Sequence, residues 1–160
     1  MTTLYAFIIL LGVLVTIHEF GHFIAARSVG VRVERFSIGV PPRLFTLTSI
    51  DNGFLLNIFF FKRLNGRLKW QPIISKVFSY PNRLGSNTEY IIALLPLGGY
   101  VKMAGMIDES MDTNLNHDED EFMSKNLWEK IWILSAGVLM NTLLAIIIFS
   151  LLGYYNGIPE

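Results

Sequence analysis

Two stretches of the chain are apolar on every helical face, and the polar residues gather between them. Leu4–Ala26 and Ile131–Gly153 each run for 23 residues with almost no charge. At 1.5 Å per residue, such a run reaches about 34 Å, enough to cross a hydrocarbon core of about 30 Å. A surface helix of a soluble domain would keep one polar face. The pattern therefore predicts two transmembrane helices. The first lacks the basic leader of a signal peptide and carries His18, Glu19 and His22 in its later part.

Between them the periodicity changes. Gly30–Gly39 alternates as a short strand, with a register change near Glu34–Arg35, and Pro41–Pro42 is expected to end it. Phe54–Phe61 reads as an aromatic strand, Asn65–Gly66 as a hairpin turn, and Leu68–Val77 as the returning strand. Glu89–Met103 is too short to span and is broken by Pro96, Gly98 and Gly99, which fits a core strand or a re-entrant segment. Asp108–Glu121 holds seven acids and no Lys or Arg, and reads as a solvated linker.

Charge sharpens this picture. Thirteen basic residues balance thirteen acidic ones, and all thirteen bases lie between Arg27 and Lys130. Arg27, Arg32, Arg35, Lys125 and Lys130 flank the middle segment, so 27–130 is expected on the cytoplasmic side and both termini opposite. Trp128 and Trp132 at one end of the second helix, with Tyr154 and Tyr155 at the other, fit two interfacial belts. Charged residues make up 16% of the chain, against roughly 25% in soluble domains. Neutrality excludes a basic nucleic-acid footprint. The absence of cysteine excludes disulfides, thiolate metal sites and a cysteine nucleophile.

The polar exceptions in the first helix carry the chemistry. His18-Glu19-Phe20-Gly21-His22 is an HExxH pattern: residues i and i+4 share a face, so both imidazoles can meet one ion. Glu19 points about 100° away, toward a metal-bound water rather than the metal. This is the arrangement of a zinc hydrolase, in which a carboxylate takes a proton from water attacking a carbonyl. In a soluble helix the pattern is often a surface coincidence. Within lipid, each ionisable group costs at least ~2.5–3.5 kcal/mol, so function is the default reading. Haem ligation by the two histidines leaves Glu19 without a role. Counting along the helix, His18 lies about 10 Å inside the cytoplasmic boundary, so a polar cavity must open from that side.

Four blocks in order, TIHEFGHFIAAR (16–27), GVRVERFSIG (30–39), TEYIIALLPLGGYVKMAG (88–105) and SAGVLMN (135–141), resemble the N-terminal half of the site-2 protease family. These are intramembrane zinc metalloproteases, and the likeness is to the bacterial RseP type. The resemblance implies a bacterial inner-membrane enzyme of regulated intramembrane proteolysis that cleaves single-pass transmembrane proteins, commonly anti-sigma factors. It makes His18 and His22 zinc ligands and Glu19 the catalytic acid/base. It makes 88–103 a membrane-re-entrant β-hairpin that pairs with substrate, with Tyr90, Ile92, Leu94, Gly98 and Gly99 as its substrate-binding residues. Gly137-Val-Leu-Met-Asn141 matches a GxxxN pattern, which puts Asn141 at the active centre and leaves Gly137 as a close-packing position.

The expected fold is thus an α-helical polytopic membrane protein, two transmembrane helices flanking a cytoplasmic-side, partly re-entrant β-hairpin region. Its expected units are helix 1 (1–27), the strand and hairpin region (28–107, with an insertion at 52–86), an acidic linker (108–124), and helix 2 with the start of a non-cytoplasmic segment (125–160). The family's third zinc ligand, an Asp in a Leu-Asp-Gly-like motif, has no match here, nor have its PDZ domains, and Val138 stands where Pro is common. Asp51, Asp108, Asp112, Asp118 and Asp120 lie outside any such motif. The expected partners are a transmembrane substrate, the bilayer, and a C-terminal half carrying the PDZ-like region and third ligand, with no nucleic acid. Alone, the chain is expected to be inactive. The alternative is a catalytically silent or truncated homologue that binds membrane proteins. A metal transporter would repeat its polar helix, and the second helix offers only Asn141.

Overall fold

A computed structural model of the chain describes residues 2–64, 67–82, 84–106 and 118–157. The element order is α1 (Thr2–Ser28), β1 (Val33–Ile50), β2 (Gly53–Leu64), β3 (Arg67–Ser79), β4 (Glu89–Met103), a one-turn 3-10 helix (Phe122–Ser124) and α2 (Leu127–Asn156). The four strands form one sheet in the order β3-β2-β1-β4, antiparallel between neighbours except where Arg35–Ile38 of β1 run in parallel register beside Glu89–Ile92 of β4. This corrects the expected α-helical polytopic class, in which only a β-hairpin region lay between the helices: strand and helix take nearly equal shares, and the architecture is α+β. The middle segment is rich in β-branched and aromatic residues, which suit a pleated surface, and its strands are far longer than a re-entrant loop needs.

The Pro41–Pro42 pair does not end β1 but bends it. The registered pairs skip from Val40↔Leu95 to Arg43↔Ala93, so the two prolines fall in a bulge where no ladder donor is required. Their peptide bond is cis. The smaller slip from Val33↔Met103 to Arg35↔Lys102 falls at Glu34, where the sequence pattern changes register. At β1's bend, Gly39 adopts φ +87° and a Cβ there would meet the Leu95 carbonyl oxygen at 2.8 Å. β4 folds back at the same level, through Leu94–Gly98. As a result the first arm of β1 lies between the two arms of β4. It pairs antiparallel with Gly99–Met103, while Arg35–Ile38 run beside Glu89–Ile92. Arg35 and Arg43, one on each arm of β1, both reach Glu89 at 3.2 Å and hold the fold-back closed.

β2 and β3 pair along their whole length, from Gly53↔Ser79 to Leu64↔Arg67, with one bulge between Ile58 and Phe59. The turn expected at Asn65–Gly66 lies outside the described residues. α2 starts at a capping box: Asn126 Oδ1 accepts from Glu129 N–H at 3.0 Å, and Glu129 Oε2 accepts from Asn126 N–H at 2.9 Å. The buried core is small and lies where the helices meet the sheet, around Ala25, Ala26, Val33, Met103, Phe122 and Ile133. The described end of the acidic stretch packs rather than floats. Glu121 is buried, Phe122 joins the core, and Asp120 accepts from the Arg32 N–H at 2.8 Å. The rest of it, Asp108 and Asp112 included, is outside the described residues.

Candidate active site

α1 and α2 run antiparallel, and small residues bring them together at the HExxH pattern. A Cβ on Gly21 would stand 2.5 Å from the Ala136 carbonyl oxygen, so the middle glycine of the pattern admits the second helix. On α2, three residues spaced by four share one stripe and each meets the histidines. The Ile133 carbonyl oxygen lies 2.8 Å from His22 Nδ1. A Cβ on Gly137 would be 2.6 Å from both His18 Nε2 and His22 Nε2. Asn141 lies 3.4 Å from His18 Nδ1 through its amide. The 137/141 pair was legible as GxxxN. Ile133 was missed, because it contributes a backbone oxygen and its signal is only the continuation of that spacing.

These contacts fix what the imidazoles can offer. A carbonyl oxygen can only accept, so His22 donates from Nδ1 and its Nε2 carries a lone pair. His18 Nε2 lies 3.1 Å from it. Asn141 Oδ1 is buried without a hydrogen-bond partner. A half-turn of that amide brings its oxygen to His18 Nδ1, which then donates. Both Nε2 lone pairs then address one point. Two nitrogens bound to one tetrahedral zinc at 2.0–2.1 Å would stand about 3.3 Å apart. The donor pair therefore fits zinc in chemistry and spacing. Among the described residues, however, no group of three or more His, Cys, Asp or Glu side chains is arranged to hold a metal ion. The chain supplies two imidazoles with their outer hydrogen bonds, and a carboxylate beside them.

That carboxylate is held by the sheet. Glu19 accepts a hydrogen bond from the Val101 backbone, and its Cγ lies 3.4 Å from where a Gly99 Cβ would be. The second arm of β4, Gly99–Met103, is paired on one side only, with β1. The Val101 backbone N–H thus lies beside the Glu19 carboxylate, on an arm that among the described residues has no second strand partner. Of the residues expected at the substrate, Gly98 and Gly99 lie here. Gly98 lines a 470 Å³ cavity with Gly12, Thr16, Ile17, Ile38 and Pro96. Tyr90, Ile92 and Leu94 belong to the first arm. Tyr90 packs on Phe23 of α1, ring centroids 6.1 Å apart, while Ile92 and Leu94 are half exposed on the sheet. The first arm is flanked by strand on both sides over Glu89–Ile92, so its backbone has no free edge there.

Comparison with known proteins agrees with this chemistry. The model of Peptidase family M50 matches residues 6–70 and 73–159. The chain is 38% identical over 158 residues to "Protease RseP" of Yersinia pestis, covering 99% of this chain and 27% of that protein. It is 37% identical over 154 residues to "Regulator of sigma-E protease RseP" of Escherichia coli K12, covering 96% and 26%. A "Putative zinc metalloprotease" of Helicobacter pylori is 32% identical over 143 residues, covering 89% and 31%. The chain thus spans about a quarter to a third of the length of these relatives. The family model covers nearly the whole chain, both helices and the HExxH pattern included: the chain belongs to peptidase family M50.

Proposed function

We propose that this chain is the N-terminal part of an intramembrane zinc metalloendopeptidase that cleaves single-pass transmembrane proteins, such as anti-sigma factors, in regulated intramembrane proteolysis. The observation that carries the reading is the meeting of His18 Nε2 and His22 Nε2 under Gly137, with Glu19 alongside. It occurs on one of two helices long and apolar enough to cross a membrane. Only 6% of the most apolar window of α1, and 17% of that of α2, is buried within the molecule. The apolar surroundings these side chains need must come from elsewhere, and a bacterial inner membrane supplies them. Segment 27–130 then faces the cytoplasm, as the placement of Lys and Arg favours.

His18 and His22 hold the ion, and a third protein ligand comes from another part of a longer protein, as do the PDZ-like domains. Zinc, when bound, polarises the scissile carbonyl and acidifies a water. Glu19 takes the proton of the attacking water on its carboxylate and returns it to the leaving amine. The Val101 N–H holds that carboxylate in place. Asn141 keeps His18 in the ligating tautomer by accepting from its Nδ1–H. A substrate helix must unwind before its carbonyl is accessible, and the open edge at Gly99–Met103 offers the unwound backbone a partner. Glycine at 98 and 99 lets that backbone approach closely. Tyr90, Ile92 and Leu94 contribute side-chain contacts from the first arm.

The test is Glu19→Gln in a protein that includes this chain and its third ligand. Zinc content should remain at the native level while cleavage of a transmembrane substrate falls by about 100-fold or more, since the ligands are spared and the base removed. Loss of zinc would move Glu19 into the ligand set, and undiminished cleavage would sink the mechanism. One observation favours a second reading. With two metal donors among the described residues, a homologue that binds transmembrane partners without cutting them is the alternative, and zinc-independent capture of such a partner would support it.

A further inference from the structure

The outer end of the β2–β3 hairpin serves neither the metal centre nor the substrate edge, and its charge is one-sided. Between Asn52 and Thr88 the sequence has six Lys and Arg residues and no acid. Lys62 and Lys69 stand directly opposite each other in the ladder, both exposed, with Arg63 next to them. Like charges opposed in this way destabilise a sheet unless something anionic lies over them. Among the described residues no ion pair involves these three, whereas Arg32, Arg35, Arg43 and Lys102 all have acidic partners.

Beside the bases is an aromatic cluster that is built rather than loose. Phe61 and Trp70 meet edge-on at 4.7 Å, and Phe60 lies 6.1 Å from each of them. Trp70 donates its indole N–H to the Arg43 carbonyl oxygen at 2.6 Å, tying the cluster to the bend of β1. Phe60 and Phe61 are nonetheless 57% exposed. Rings held half-bare next to unpaired cations match the boundary between headgroups and acyl chains. There aromatic bodies face hydrocarbon, and Lys and Arg reach phosphate.

We propose that this end of the hairpin docks on anionic lipid headgroups. Lys62, Arg63 and Lys69 neutralise the headgroups, and Phe60, Phe61 and Trp70 seat below them. The inference rests on the membrane reading of α1 and α2. An acidic protein partner is the competing occupant. Lipid is favoured because the aromatic cluster and the bases lie in a chain whose two helices already expose apolar surface along their length.

The test uses the full chain in nanodiscs of phosphatidylcholine and phosphatidylglycerol, with every tryptophan except Trp70 replaced by Phe. Trp70 fluorescence is read with bromine on the acyl chains of one lipid or the other. Quenching should be about twofold stronger when the anionic lipid carries the bromine, and Lys62→Gln/Arg63→Gln/Lys69→Gln should abolish the preference. Lys69→Glu alone separates lipid binding from folding. It turns the repelling pair into an attractive one, so the hairpin is kept or strengthened while the preference is lost. No quenching of Trp70, equal quenching by both lipids, or a preference that survives these changes would overturn the proposal. A variant retaining only Trp132 reports on α2. If Trp132 is quenched and Trp70 is not, the hairpin proposal alone fails; if neither is quenched, the membrane reading fails with it.

Discussion

Gly137 has no side chain, and the two imidazoles occupy the volume one would fill. Alanine there would place a methyl 2.6 Å from both Nε2 atoms, so either the helices part or the rings turn from their shared point. The helix itself would gain slightly from alanine. Gly137→Ala should therefore leave the helical circular dichroism intact while zinc affinity drops by about tenfold or more, the scale of a disturbed outer shell. Unchanged affinity would show that the rings do not converge on a metal. Asn141 allows a finer comparison. A carboxylate at 141 can still accept from His18 Nδ1–H and leucine cannot, so Asn141→Asp should keep zinc where Asn141→Leu loses it. Equal zinc binding by the two would remove Asn141's positioning role.

Among the elements, the β1–β4 fold-back matters most, because it places the Val101 N–H and the open edge beside Glu19. Its clamp is Glu89 between Arg35 and Arg43, with the Glu89 side chain 20% exposed and the arginines 42% and 33%. Partly solvated pairs are weak singly, so Glu89→Gln should cost on the order of 1 kcal/mol. The loss should also be local. Amide exchange should quicken over Arg35–Ile38 and Glu89–Ile92 while α1 and α2 are unaffected, and uniform quickening would mean the clamp is not specific to this bend. The strands β2 and β3 were legible because aromatic runs flank an Asn-Gly pair. The bend was not, because Pro-Pro reads locally as a stop. Only its pairing partners, about fifty residues away in β4, show that the chain continues through a bulge. The HExxH helix was legible for the opposite reason, since i, i+4 spacing needs no tertiary knowledge. The stripe of Ile133, Gly137 and Asn141 that completes its surroundings depends on how two helices cross, and a single sequence does not state that.

For the whole molecule, the proposed function divides the work between a helix pair, for the chemistry, and a sheet, for recognition. They meet at Glu19, Gly99 and Val101, and at the approach of Gly12 to Pro96, where a Cβ would lie 2.5 Å from a carbonyl oxygen. The sheet was the part least visible in advance, since runs like 89–103 suit a strand, a buried helix or a re-entrant segment equally until pairing decides. The site divides in the same way. Two imidazoles, each with its outer hydrogen bond, are present, and catalytic zinc normally has three protein ligands. If the third lies outside these 160 residues, the isolated chain should bind zinc weakly, through His18 and His22, and cleave nothing. Titrating zinc into the purified chain in detergent and into its His18→Ala/His22→Ala variant measures the first point. Incubation with a single-pass transmembrane substrate measures the second. Tight binding that survives the double change would place the metal elsewhere in the chain. Cleavage by the isolated chain that Glu19→Gln abolishes would mean that two histidines and one carboxylate suffice, and that the remainder of a longer protein selects substrates rather than completing the metal centre.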